Sequence, residues 1–196
     1  MTLALFIGIA YLLGSIPFGL LVSRCKGIDL RKEGSGNIGA ANAIRTLGFG
    51  CGLLVLLGDM LKSMSALFLA EHFLGATATP LALVLVGLAA IMGHNYSIFL
   101  GFKGGKGVAA TLGVFLFLAW KATVAAFAVW LVVVAITRYA SLGSILSAIL
   151  LPFSMIYFHA PVIYVDFAAA AALLIVYKHR GNVVRLWSGK ENRLVR

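Results

Sequence analysis

Two glycine-rich segments in this sequence have the composition of an anion-binding turn. Lys103 to Gly107 reads KGGKG, with Gly104, Gly105 and Gly107 set among Lys103 and Lys106, directly ahead of an apolar run. Glycines let backbone N–H groups turn inward around an anion, and a helix starting there adds the positive end of its dipole. The spacing is too short for the phosphate loop G-x-x-x-x-G-K-[ST], and Val108 stands where that loop carries Ser or Thr. Gly34 to Gly39 reads GSGNIG, which contains Ser35, Gly36 and Asn37 and is followed by Asn42 and Arg45. It matches neither the dinucleotide fingerprint nor the nucleophile elbow G-x-S-x-G. An Arg clamps phosphate through paired N–H bonds, whereas a Lys acts as a point charge. Two cradles with Arg45, Lys103 and Lys106 suit two phosphate groups, or one phosphate shared by two ligands.

The histidines divide by company. His72 and His159 sit at the ends of apolar runs without polar neighbours, where interfacial solvation accounts for them. His94 falls inside an apolar run, one residue after Gly93, where a polar side chain is costly and needs a partner. That partner is either a neighbouring carbonyl or a reacting group. His179 and Asn182, three apart, share a face on a continuing helix. Asp59 and Lys62 are also three apart within an apolar run; they either neutralise each other or serve function. Cys25 and Cys51 have no metal spacing and read as packing residues.

The elements that position these groups belong to a bilayer. Of 196 residues, 62% are hydrophobic and 11% charged, with a mean hydropathy of +1.04. A soluble domain averages about 25% charged residues, so a soluble fold is excluded. The net charge of +10 would suggest nucleic acid in a soluble chain. Here it reflects basic loops on the inner face and a demand for anionic ligands, so no nucleic-acid partner is expected.

A crossing takes about 20 predominantly apolar residues. Residues 2–23, 49–74, 79–100, 141–158 and 161–177 qualify, and the stretch from Val108 to Thr137 forms either one long helix or two short ones broken at Trp120-Lys121. With the break, the inner segments 24–48, 101–107, 138–140 and 178–196 hold fourteen of the sixteen basic residues. Without it, the last two segments flip outward. The positive-inside rule therefore predicts seven spans, the N-terminus outside and the C-terminus cytoplasmic, in an all-α polytopic membrane protein read as a single domain over 1–196. Helix 108–119 covers only about 18 Å at 1.5 Å per residue, so its N-terminus should sit below the membrane surface. The motif-bearing segments then converge on the cytoplasmic face.

Taken together and in order, SGNIGAANAIR at Ser35–Arg45, GHNYSIFLGFKGGKGVA at Gly93–Ala109, SLGS at Ser141–Ser144 and HRGN at His179–Asn182 closely resemble the acyl-phosphate-dependent glycerol-3-phosphate acyltransferases of bacteria, the PlsY family. LGDMLK at Leu57–Lys62 looks like that family's second span. The family usually has Thr where this chain has Ala41 and Ala110, so neither position is given a binding role.

The resemblance implies acyl transfer from acyl phosphate to the 1-hydroxyl of glycerol 3-phosphate at the inner face of a bacterial cell membrane. The products are lysophosphatidic acid and phosphate. No metal or cofactor is implied, and the soluble enzyme that makes acyl phosphate is the implied partner. Ser35, Arg45, His94 and Lys103 are expected to be catalytic. Gly34, Gly36, Asn37, Asn42, Gly104, Gly105, Lys106 and Gly107 are expected to hold the phosphates, with His179, Asn182, Ser141 and Ser144 beside the glycerol phosphate. Acyl phosphate is already an activated anhydride, so direct transfer is expected, with His94 or a substrate phosphate oxygen taking the proton. A small transporter of a phosphorylated metabolite is the alternative, although transporters place polar groups near the midplane and commonly show repeats.

Overall fold

The computed structural model describes residues 2–194; Arg196, counted above in the last inner segment, lies outside the described residues. All regular structure among them is helical. The chain forms two compact units, Met1–Phe117 and Leu118–Arg196.

The first unit opens with α1 (Leu3–Ser15) and α2 (Phe18–Arg24), an apolar stretch interrupted at Ile16-Pro17. Pro17 pushes the residue before it out of the helical region, and Ile16 has ψ 119°. The inner segment 24–48 holds α3 (Ala40–Leu47), joined through Gly48 alone (φ +89°) to the 26-residue α4 (Phe49–Leu74). Helix α5 (Pro80–Asn95) begins with Thr79 capping the Ala82 N–H and Pro80 at its first position, where the missing N–H costs nothing. Helix α6 (Val108–Leu118) closes the unit.

Glycine allows these helices to touch. A Cβ on Gly14 would overlap the Ala90 backbone and one on Gly93 the Tyr11 carbonyl, so α1 and α5 meet backbone to backbone, as small residues permit in membranes. Gly113 lies in the same way against Met60 of α4. Leu20, Leu30, Ile38, Ala43 and Val55 form a buried cluster that pins the 25–39 loop and α3 to the unit.

The second unit holds α7 (Trp120–Thr137), α8 (Ala140–Tyr157), α9 (Val162–Lys178) and α10 (Arg180–Trp187). The break expected at Trp120-Lys121 falls at Ala119, which leaves the helical region at φ −154°, ψ 64° without help from Gly or Pro. Its carbonyl accepts both the N–H and the hydroxyl of Thr123, capping α7.

By length and composition, α1–α2 together, α4, α5, α7 and α8 can cross a membrane, and α9 with α10 makes a sixth candidate bent by 58°. Helix α6, at 11 residues, covers only about 17 Å.

Candidate active site

In the first unit the GSGNIG segment is folded around one amide. Asn42 is 2% exposed. Its Oδ1 accepts from the Ser35 N–H (2.9 Å) and from Arg45 Nη1 (3.3 Å), and its Nδ2 donates to the carbonyls of Leu30 (3.2 Å), Glu33 (3.0 Å) and Asn37 (2.9 Å). Gly34 (φ +58°) and Gly36 (φ +70°) take the left-handed conformation this turn needs, and a Cβ on Gly34 would also overlap Asn42 Oδ1. Ser35 is left exposed at the tip, and Arg45 is half-buried one helical turn after Asn42. Asn42, expected to contact a ligand, has its amide committed to the loop itself. Nearby, the Arg31 guanidinium grips Asp29 (2.6 Å) and holds that carboxyl below the usual carboxylate range.

The KGGKG loop docks on the end of α5. The Gly105 N–H bonds to the His94 carbonyl (3.0 Å) and the Gly104 N–H to the Asn95 carbonyl (3.2 Å). This corrects the expectation that these two glycine amides turn toward an anion: they satisfy the carbonyls left open at a helix C-terminus. The glycines are needed for close approach. A Cβ on Gly104 would overlap His94 O, one on Gly105 would overlap His94 Nε2, and one on Gly107 (φ +86°) would lie 2.9 Å from Asn95 Oδ1. The first-turn amides of α6, Val108 to Ala110, have no intrahelical acceptor. Lys103 is exposed and Lys106 half-buried at the mouth of this helix.

Beneath the loop lies a buried polar cluster. Asp59 and Lys62, 2% and 6% exposed, form an ion pair of 2.7 Å. Lys62 Nζ also donates to the Ile16 carbonyl at the α1–α2 break (2.6 Å) and lies 3.2 Å from His94 Nδ1. Both alternatives raised for Asp59 and Lys62 begin from a true pair, and His94 has a side-chain partner rather than a carbonyl.

In the second unit, His179 caps both α9 and α10, so the helix does not continue straight from His179 to Asn182 as expected; it turns by 58°. Its Nδ1 lies 2.8 Å from the Ile175 carbonyl, which can only accept, so Nδ1 carries the proton. Asn182 Nδ2 and Ser141 Oγ both donate to Glu191 Oε1, at 2.7 and 3.0 Å, and Arg185 Nε donates to Oε2 at 2.9 Å. Glu191 was not singled out in the sequence; the signal available was a lone acid in a basic tail. Ser144 gives its proton to the Ala140 carbonyl (2.8 Å) and accepts from Trp130 Nε1 (3.2 Å), so it joins α7 to α8. An apolar cavity of about 540 Å³ adjoins Ser141 and Asn182 in sequence, lined by Leu142, Ile145, Val183 and Leu186 among others.

The family profile described as "Glycerol-3-phosphate acyltransferase" matches residues 4–189. The chain belongs to the glycerol-3-phosphate acyltransferase family. Relatives bearing the name glycerol-3-phosphate acyltransferase include that of Trichlorobacter lovleyi, 50% identical over 98% of both chains, and that of Geobacter sulfurreducens, 46% identical over 94% of both. The crystal structure of PlsY, an integral membrane glycerol 3-phosphate acyltransferase, in its glycerol 3-phosphate form is 40% identical and superposes with a TM-score of 0.91, covering 97% of this chain and 94% of that one. The lysophosphatidic acid form of PlsY gives 0.89 at 39% identity, with the same coverage. As a glycerol-3-phosphate acyltransferase of the integral membrane PlsY type, the chain carries its two glycine-rich segments in the order and spacing described.

Proposed function

We propose that the chain transfers an acyl group from acyl phosphate to the 1-hydroxyl of glycerol 3-phosphate, releasing lysophosphatidic acid and inorganic phosphate. The observation that carries this reading is the pairing of two separate anion-suited elements in one unit. One is the Asn42-centred turn with Ser35 and Arg45, and the other is the α6 N-terminus with Lys103 and Lys106. A donor and an acceptor that both bear phosphate need two such elements. The glycerol 3-phosphate and lysophosphatidic acid forms of the PlsY relative support the substrate and product.

The hydroxyl oxygen forms a bond to the acyl carbon, the carbon–oxygen bond to phosphate breaks, and the electron pair leaves on phosphate. A phosphate oxygen takes the hydroxyl proton; a phosphate monoester has a second pKa of about 6, suited to that role at neutral pH. Ser35 orients substrate through its exposed hydroxyl, while Arg45 and Lys103 stabilise charge developing on the phosphates. His179, Asn182 and Ser141 bind the glycerol phosphate.

The fold is proposed to make seven crossings, with α6 as a short span protected by neighbouring protein, the N-terminus outside, and the motif segments cytoplasmic. The soluble enzyme that makes acyl phosphate supplies the donor.

Purified protein in detergent should convert glycerol 3-phosphate with acyl phosphate and not with acyl-CoA; the reverse preference would sink the donor assignment. Radiolabelled acyl phosphate given alone should leave no label on protein. A label that vanishes in Ser35→Ala and passes to added glycerol 3-phosphate would replace direct transfer by an acyl-serine step. In a background free of Cys25 and Cys51, Gly36→Cys and Lys190→Cys should react only with reagent from the cytoplasmic side and Lys121→Cys only from the other. External labelling at position 190 would break the topology.

A further inference from the structure

The buried cluster beneath the KGGKG loop determines which way the His94 ring can act. An ammonium has three protons and no lone pair. Those of Lys62 have three acceptors within reach: the Ile16 carbonyl at 2.6 Å, Asp59 Oδ1 at 2.7 Å and His94 Nδ1 at 3.2 Å. The competing arrangement, an Nδ1–H given to Asp59 Oδ1, has the longer separation of 3.4 Å and would point that hydrogen beside the ammonium. Nδ1 is therefore the acceptor, and in a neutral imidazole the proton sits on Nε2. Nε2 faces Gly105 in the loop, close enough that a Cβ there would overlap it. The ring is 4% exposed, and its Nε2 makes no hydrogen bond among the described residues. That N–H has no acceptor among the described residues, and it lies against a loop that carries two lysines and leads into a helix N-terminus.

We propose that Asp59 and Lys62 act on the reaction through His94: they hold it as the Nε2–H tautomer, and that N–H is a further donor to a phosphate group bound at the KGGKG loop. Lys62 is a positioning residue, and His94 binds the anion and does not accept the hydroxyl proton. The proposal rests on the acyl-transfer reading only for which phosphate is bound, that of the glycerol ester or that of the acyl donor.

Protein labelled with [15N]histidine in lipid nanodiscs tests the tautomer without any variant. His94, assigned by the signal lost in His94→Gln, should show a protonated Nε2 and a bare Nδ1; a protonated Nδ1 overturns the proposal. Titration with inorganic phosphate should shift the Nε2 signal. No shift of that signal, up to phosphate concentrations that inhibit the enzyme fully, also overturns it. In kinetics, His94→Leu should raise the KM of one substrate about ten- to hundredfold, the range for one hydrogen bond to a charged group. His94→Gln, whose amide nitrogen reaches the place of Nε2, should recover most of that loss. The substrate whose KM moves identifies the phosphate. If Gln falls as far as Leu in kcat with KM unchanged, the ring is a proton acceptor and the proposal is wrong. Lys62→Met should shift the tautomer toward Nδ1–H and raise the same KM. Should wild-type protein fail to use acyl phosphate, the donor assignment falls, while the tautomer and phosphate titration still decide the proposal.

Discussion

Gly105 lies against the Nε2 edge of the His94 ring, its N–H bonded to the His94 carbonyl at 3.0 Å and its α-carbon leaving no room for a methyl beside Nε2. Two residues eleven positions apart are thus locked together by one backbone bond and one steric fit. Gly105→Ala should displace the ring or the loop, both of which border the proposed anion site. Overpacking a buried contact costs about 1–3 kcal/mol. Gly50→Ala, at a helical glycine with open space around it, should be neutral or stabilise slightly. Melting temperatures in detergent, with KM for glycerol 3-phosphate, check the contrast; equal behaviour of the two variants would remove the steric argument.

Asn42→Asp should be worse than Asn42→Ala. The acid keeps the oxygen that accepts from Ser35 and Arg45 but turns a second oxygen toward the three carbonyls that Nδ2 now bonds. Each acceptor left without its donor costs about 1–3 kcal/mol, and the repulsion adds to it. If the Asp variant melts above the Ala variant, donation by Nδ2 is not what holds the turn.

Arg45→Ala and Lys103→Ala should each raise KM about tenfold or more, the loss expected for one charged hydrogen bond. Assayed separately against each substrate, they show which phosphate each side chain serves. Unchanged KM for both substrates in either variant removes that residue from the site.

Glu191→Gln should be milder than Glu191→Ala. An amide oxygen at the Oε1 place still accepts from Ser141 and Asn182, and only the bond from Arg185 is lost, because the amide NH2 at the Oε2 place cannot accept. The alanine leaves two buried donors without an acceptor, which should lower both the melting temperature and the affinity for glycerol 3-phosphate. Identical losses in the two variants would show that the charge, rather than the shared acceptor, is what matters.

Residence in a bilayer, the helical segments and the break near residue 120 were legible without coordinates. Hydropathy and the distribution of basic residues are properties of local sequence, and a lipid solvent forces every apolar run into a helix. The identity of the loops that bear chemistry was legible for a related reason: glycine, lysine and arginine stand out against apolar flanks. Short-range detail was less secure. Ala119 ends α6 with no residue there that marks a break, and the turn at His179 replaced an expected straight helix.

What each polar residue does was decided by tertiary structure, because it depends on partners remote in the chain. Lys62 meets Ile16 across 46 positions and His94 across 32, and Ser141 meets Glu191 across 50. Sequence alone established that Gly104 and Gly105 free the backbone of the loop and that His94 needs a partner at its depth. Only the folded chain shows that the glycines make room for α5 rather than aim amides at an anion, and that the partner is an ammonium. An ammonium can only donate, so the direction of the hydrogen on His94 follows from a contact no local pattern contains.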